Sequence, residues 1–507
     1  MTKGTNFLIF MVDQLNGTLF PDGPAEWMHA PNLRRLSEVS ARFANAYTPF
    51  PLCAPARASF MSGRLPSEIG VFDNAAEFGS DIPTFAHMFR KAGYRTCLSG
   101  KMHFVGADQL HGFEERLTTD VYPADYGWTP DYRLPGERID WWYHNLGSVK
   151  SAGVAETTHQ LEYDDEVAHH AIRQVHEFGR GNDERPWMMV VSFTHPHDPY
   201  VARRKFWDMQ KEGEHLLPTV KAFAYDDQDP HSKRIFDAND WRSYDLTEMD
   251  VVRSRRGYFA NISYIDEKVG EIMAAVDAMQ QTDRTAVVFL ADHGDMLGER
   301  GLWFKMHFFE GSSRVPLMIS GPGVEPRLVA DPVSIMDVPD TLAELADIPG
   351  EEFRQCTNGS SLLPEMNGQS GGRPVHVEYS AEASIAPLVG VRSGSLKFIH
   401  SEVDPPMLFD LSRDPHELTN LAGMPEHAEA QGRLADLVAE KWDLQEFDSA
   451  VRRSQAQRLF VYEALRNGHY YPWDYQPLQK ASERYMRNHM NLNEVESRNR
   501  FPREHDG

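Results

Sequence analysis

Four times along this chain a short apolar run of strand length leads into chemically active side chains. Residues 7–12 run into Asp13 and Gln14, 94–98 lead to Lys101 and His103, 187–193 to His195 and His197, and 285–290 to Asp292 and His293. Runs that are apolar at successive positions belong to strands covered on both faces, and helical patterns lie between them. The chain is therefore expected to form an α/β fold around a parallel sheet with helices on both sides. Ligands of open parallel sheets bind beyond the carboxyl ends of the strands, so the four clusters should converge on one site.

Helical spacing follows Pro31, where Leu33, Leu36, Val39, Ala41 and Phe43 recur, and spans 83–91 before Gly93. It returns over 255–279, where Phe259, Ile262, Ile265, Val269, Ile272 and Met273 make one stripe. Residues 108–165 read as a long turn-rich loop carrying Tyr122, Tyr126, Trp128, Tyr132, Trp141, Trp142, Tyr143 and His144, of the kind that forms lids or binding loops. Beyond residue 350 the texture changes. Strand patterns at 375–379, 388–392, 396–400 and 407–411 predict a smaller antiparallel sheet, and helices are expected over 425–444 and 447–466.

At ~150 residues per domain the chain has room for three units. These are a catalytic domain over 1–350, a subdomain over 351–466 and a tail over 467–507. The tail holds Tyr470, Tyr471, Trp473, Tyr475, Tyr485 and Phe501, and aromatics seldom sit unpacked, so it is expected to lie on a neighbouring subunit of a homo-oligomer, a dimer or tetramer.

Seventy-five acidic against 51 basic side chains leave a formal charge of -24, a field that repels nucleic acid and favours small cations. The apolar run near the start is far shorter than the ~20 residues of a membrane span, which points to a cytoplasmic protein without a membrane segment. Three cysteines, at 53, 97 and 356, are too few and too far apart for a disulfide framework or a zinc cluster.

The strongest local signal is Cys53-Ala54-Pro55-Ala56-Arg57, followed by Ala58-Ser59-Phe60-Met61-Ser62-Gly63. A helix starting near Pro55 turns its unpaired N–H groups and the positive end of its dipole towards residue 53. Arg57, one turn on, can reach back with a permanent charge, so the site suits an anion. This C-x-P-x-R segment resembles the signature of type I sulfatases. Further matches run from residue 6 to 422 and include Leu408-Phe409-Asp410-Leu411, Asp414-Pro415-His416-Glu417 and Asn420-Leu421-Ala422.

The resemblance implies an alkaline-phosphatase-like fold with a large mixed, mostly parallel sheet. It also implies that a formylglycine-generating or sulfatase-maturing enzyme converts Cys53 to formylglycine. Asp13, Gln14, Asp292 and His293, with an oxygen of modified residue 53, would hold one divalent metal. Most of the family has a second aspartate after the first and an asparagine after the third. Here Gln14 and His293 stand instead, and oxygen ligands with one imidazole leave calcium with manganese as its rival. Carried over from the same family, Lys101, His103, His197 and Lys305 contact the sulfate. Lys101 and His103 lie two apart, so on an extended segment they share a face. His195 and His307 match less clearly and are assigned structural roles.

In the resembled mechanism the hydrated aldehyde attacks sulfur in line, His197 protonates the departing alcohol, and His103 takes the proton whose loss lets sulfate leave. Stretches 11–17, 112–117 and 141–145 are similar to members that cleave choline sulfate. A quaternary ammonium is best held by aromatic faces and carboxylates, which directs attention to Trp128 and His144, then to Asn74 and Glu382. Two alternatives stay open: a phosphonate or phosphate ester hydrolase on the same scaffold, and a binding protein that keeps the fold without turnover.

Overall fold

The computed structural model describes residues 4–122, 124–139, 143–349 and 351–467. Its main elements, in chain order, are β1 (Asn6–Val12), α1 (Pro31–Glu38), β2 (Ala41–Phe43), α2 (Cys53–Ser62), α3 (Phe85–Lys91), β3 (Arg95–Gly100) and β4 (Glu115–Arg116). There follow α4 (His159–Arg180), β5 (Trp187–Phe193), α5 (Glu248–Ala278), β6 (Thr285–Ala291), β7 (Leu317–Ser320) and β8 (Arg327–Val329). The last third supplies β9 (Val375–Tyr379), β10 (Leu388–Ser393), β11 (Leu396–Ser401), β12 (Met407–Asp410), α6 (Ala428–Lys441) and α7 (Leu444–Arg466).

The large sheet has the order β8-β2-β7-β6-β1-β5-β3-β4. It is parallel except for β7, which runs antiparallel to β6 and to β2. Every residue of β1, β5 and β6 is buried, as continuous apolar runs at the centre of a doubly covered sheet require. The smaller sheet β9-β10-β11-β12 is antiparallel throughout. Val377, Tyr379, Leu388 and Ile399 on one of its faces pack with Phe50, Leu52, Met306 and Phe309 of the large unit. Its other side, through Val389, Val391 and Phe398, packs with Leu434, Val438, Phe447 and Val451 of α6 and α7.

Three expectations need correction. The pattern after Pro31 does not continue as helix to Phe43: α1 stops at Glu38, Val39 is exposed, and Ala41 and Phe43 point inward from β2 with period two. The long helix begins at Glu248, seven residues earlier than its stripe suggested, because Thr247 and Asp250 cap it reciprocally. Residues 159–180, partly placed in the aromatic loop and otherwise unassigned, form α4; Thr158 accepts from Leu161 N, and Leu161, Val167, Ala171 and Val175 are buried. The expected contacts of the aromatic tail, and Trp141 and Trp142, lie outside the described residues. Among the described residues no helix is long and apolar enough to cross a membrane.

Candidate active site

The register of the central strands brings the polar clusters together. Val12 pairs with Ala291 and with Phe193, and Gly100 pairs with Ser192, so Asp292, Asp13, Thr194 and Lys101 emerge side by side at one edge. Gly100 makes this approach feasible. Its φ is +112°, and a Cβ there would stand 1.9 Å from Ser192 O, which accepts from Lys101 N at 3.0 Å.

Helix α2 begins at Cys53 itself. Leu52 provides no side-chain cap, and Asn74 Oδ1 accepts from Ala54 N at 3.0 Å, so the positive helix end opens at the cysteine. Cys53 Sγ lies 3.1 Å from His293 Nε2 and 3.8 Å from Asp13 Oδ1. Ligand atoms of Asp13, Cys53, Asp292 and His293 all fall within 4.8 Å of one another, and all four residues are buried. His293 Nδ1 donates to Gly294 O at 3.1 Å, and burial lowers the pKa of the ring, so a neutral imidazole turns its Nε2 lone pair into the group. Two carboxylates and a pre-oriented imidazole fit a hard or borderline divalent ion.

Cations surround these acids. Arg57 Nε donates to Asp292 Oδ2 at 2.8 Å and Nη2 to Asp13 Oδ2 at 3.2 Å, while Nη1 donates to Lys101 O and Ser192 Oγ. The guanidinium that was expected to reach residue 53 thus bonds to the two carboxylates beside it. Lys101 Nζ pairs with Asp13 and lies 4.5 Å from the centre of the Tyr122 ring. Burial opposes ionisation of Asp13, but the ammonium of Lys101 and the guanidinium of Arg57 outweigh it and hold its carboxyl well below the usual range.

The second half of the site rests on unusual backbone. Gln14, His103, Phe304 and Met306 all have left-handed φ values, of 65°, 55°, 63° and 78°. Each is tied down: Gln14 N donates to Asp292 Oδ1, His103 N to Asp120 Oδ2, Phe304 N to Asp295 Oδ1 and Met306 N to Pro51 O. Lys101 and His103 therefore do not share the face of an extended strand. The chain bends at Gly100 and again at His103, whose buried ring still lies beside the Cys53 side chain. Lys305 Nζ donates to His197 Nε2 and to Gln14 Oε1, both at 2.7 Å. His197 Nδ1 donates to Asp198 O at 2.6 Å; burial and Lys305 lower its pKa well below the ordinary imidazole value, so the ring is neutral with Nε2 as acceptor.

His144 stacks on Phe304 with centroids 4.7 Å apart, and its Nδ1 is 3.3 Å from Asp198 Oδ2. Trp128 packs on Ala54 and Val105 and meets the His103 ring edge-on at 5.7 Å. Glu382 is buried and adds its charge near Tyr143 and Tyr379; its loop meets that of Asn74, where Ser380 Oγ donates to Phe72 O at 3.0 Å. Arg458 of α7 grips the neighbouring Asp73 through two bonds of 2.7 Å. His195 is turned away from the cysteine, with Nδ1 2.7 Å from Asp164 Oδ2, and His307 packs against His231 and Phe309.

Four site residues escaped the sequence reading: Asp120, Asp198, Ser192 and Asp295. Asp198 and Asp295 were within reach, because each follows a histidine of a recognised strand-end cluster by one or two positions. Asp120 and Ser192 carry no such local mark.

Residues 5–348 match the sulfatase family, and residues 449–501 match the choline sulfatase enzyme C terminal. A choline-sulfatase of Rhizobium meliloti (strain 1021) is 63% identical over 510 residues, covering 99% of this chain and 100% of that protein. An arylsulfatase of Clostridium perfringens is 26% identical, with 84% of this chain and 91% of that protein covered. Among solved structures, a phosphonate monoester hydrolase of Agrobacterium radiobacter superposes with a TM-score of 0.67 at 20% identity, over 90% of this chain and 96% of that one.

Proposed function

The chain belongs to the sulfatase family, and on that premise we propose that it hydrolyses choline sulfate to choline and inorganic sulfate. The observation that carries this reading is the full-length 63% identity with the Rhizobium meliloti choline-sulfatase, which the match of 449–501 extends into the family's choline sulfatase terminus. The family implies a formylglycine and a divalent metal. We assign the first to Cys53 and the second to Asp13, Gln14, Asp292 and His293, with calcium as the ion and manganese as its rival. Matured residue 53 would supply the nucleophilic oxygen. An ion held there would supply positive charge for the oxygens of residue 53 and of the sulfate.

The chain's own residues do the rest. Arg57 fixes Asp13 and Asp292 by bonding to both, and Lys101 adds charge for the nonbridging oxygens at the mouth of α2. His103, beside residue 53, accepts a proton from it. Across the pocket, His197 receives a proton at Nε2 from Lys305 and passes it to the departing alcohol oxygen. Trp128 and His144, with Asn74 and Glu382 on the facing loops, surround the ammonium end; an aromatic face and a buried carboxylate suit a cation that cannot donate an N–H bond.

We place residues 1–350 as the catalytic domain, 351–466 as the subdomain that braces it and 467–507 as an oligomer contact. Exposed Phe460 and Leu465 near the end of α7 accord with a subunit interface there. The substrate and a sulfatase-maturing enzyme are the partners. Cytoplasmic residence accords with three unpaired cysteines.

The test is release of choline and sulfate from choline sulfate, with phenyl phosphonate esters compared at matched metal loading. Choline sulfate should be preferred by a wide margin, and Cys53→Ala should abolish release in a folded protein. Preference for the phosphonate, or turnover surviving in Cys53→Ala, overturns the reading. Mass analysis of the peptide around residue 53 should show aldehyde in place of thiol.

A further inference from the structure

The buried side-chain amide of Gln14 is engaged at both ends. Its Nε2 donates to Asp295 Oδ2 at 2.6 Å and to Asp198 Oδ1 at 3.3 Å, while Oε1 accepts from Lys305 Nζ at 2.7 Å. Asp295 is held in turn. Its Oδ1 accepts from Leu297 N at 2.9 Å and Phe304 N at 3.0 Å, and Oδ2 also accepts from Tyr200 OH at 2.8 Å. Main-chain N–H groups only donate, so Oδ1 has to be an acceptor, and a carboxylate offers an acceptor at its other oxygen too. An amide wedged between carboxylates and an ammonium has one satisfied orientation, with nitrogen towards the acids and oxygen towards the cation.

We propose that Asp295 is a positioning residue that sets the polarity of the Gln14 amide, so that oxygen and never NH2 faces Lys305 and the metal-binding group around Asp13. This deepens the reading above and rests on it for the metal. It also gives a reason for an amide to serve at position 14. With Asp198 and Asp295 both facing the side chain, a second carboxylate there would oppose two others in a buried space.

Asp295→Asn changes a single atom and tests the idea by sign. Leu297 N and Phe304 N keep the new amide oxygen at the Oδ1 position, so its NH2 meets Gln14 Nε2, donor against donor. Gln14 then either turns its own NH2 towards Lys305 or loses the contact. Gln14→Glu in the same chain restores an acceptor opposite the introduced amide and opposite Lys305. Mn2+ affinity of the full chain, read by electron paramagnetic resonance beside thermal melts, should fall about tenfold or more in Asp295→Asn and recover in the double variant. The double variant should also bind Mn2+ more tightly than Gln14→Glu alone, a comparison that stands if Asp295→Asn by itself fails to fold. A merely structural Asp295 makes the double variant worse than either parent. The proposal is overturned if Asp295→Asn stays within about twofold of wild type, if the double variant is no tighter than both singles, or if the wild type binds no Mn2+. Wild type that binds Mn2+ but leaves choline sulfate intact would defeat the functional reading and leave this inference standing.

Discussion

At the scale of single residues, the site keeps its acids and bases dry by setting them against one another. Arg57 and Lys101 touch Asp13 and Asp292 directly, while Lys305 reaches Gln14 and His197, and Asp198 and Asp295 take the other end of the Gln14 amide; all of these side chains are buried. In such a setting a charge that loses its partner costs far more than the pair contributes, so these side chains are poor candidates for tuning and good ones for abolishing function. Trp128 is different, because its ring lies at the rim of the charged group, packed on Ala54 and edge-on to His103. Trp128→Ala should lower kcat/KM for choline sulfate by about tenfold, as expected for a cation on an aromatic face, and lower it much less for an uncharged aryl sulfate. Equal losses on both substrates, measured side by side, would remove Trp128 from the ammonium site. The cluster residues Asp13, Lys101, His103, Asp292 and His293 were legible because they follow apolar runs directly. Asp120 was not, since its role depends on receiving two backbone N–H groups of the 102–103 bend, which no local pattern announces.

At the scale of elements, the small sheet is coupled to the catalytic unit through a buried acid. Glu378 on β9 accepts from Ser67 N, Ser67 Oγ and, at 2.5 Å, Trp442 Nε1 at the end of α6. Burial pushes its pKa from 4.5 up to about 7 despite these donors. The folded state therefore holds a proton that the unfolded chain releases, so the stabilisation is complete below pH 4.5 and is lost as pH rises towards about 7. Glu378→Gln removes this dependence. Urea unfolding at about pH 4.5 and about pH 7.5 should show wild type losing roughly 3 kcal/mol more than the variant over that interval. Parallel curves for the two proteins would show that Glu378 ionises freely in the fold. The strands of this sheet and the two helices after it were readable from alternation and stripe. That one sheet face presses on 50–52 and 306–309, and so backs both Cys53 and Lys305, was not readable, because apolar residues advertise burial but not against what.

At the scale of the whole molecule, a net charge of -24 favours cations, and a divalent ion held by the buried ligand atoms of positions 13, 53, 292 and 293 would fasten distant segments together. An ion that binds only the folded chain stabilises it by mass action. Adding it back to chelated protein at about a hundred times its dissociation constant should increase stability by about 2.7 kcal/mol. Asp13→Asn should abolish that gain, as followed by thermal melts with and without chelator. A melting temperature indifferent to chelation in the wild type would mean that the group is held together by Arg57 and Lys101 alone.

The amino-acid sequence by itself determined the strands, most of the helices and the identity of the groups at the strand ends, because side-chain periodicity and caps act over a few residues. It also carried the C-x-P-x-R segment and with it the family. Tertiary structure alone decided the register that sets Asp13 beside Asp292, the turn of Arg57 towards carboxylates, the neutral state of His197 and the polarity of Gln14. Each of those depends on a partner far away along the chain, 278 residues in the bond from Gln14 to Asp292 and 281 in that to Asp295, and hydrogen-bond direction exists only once both partners are in place.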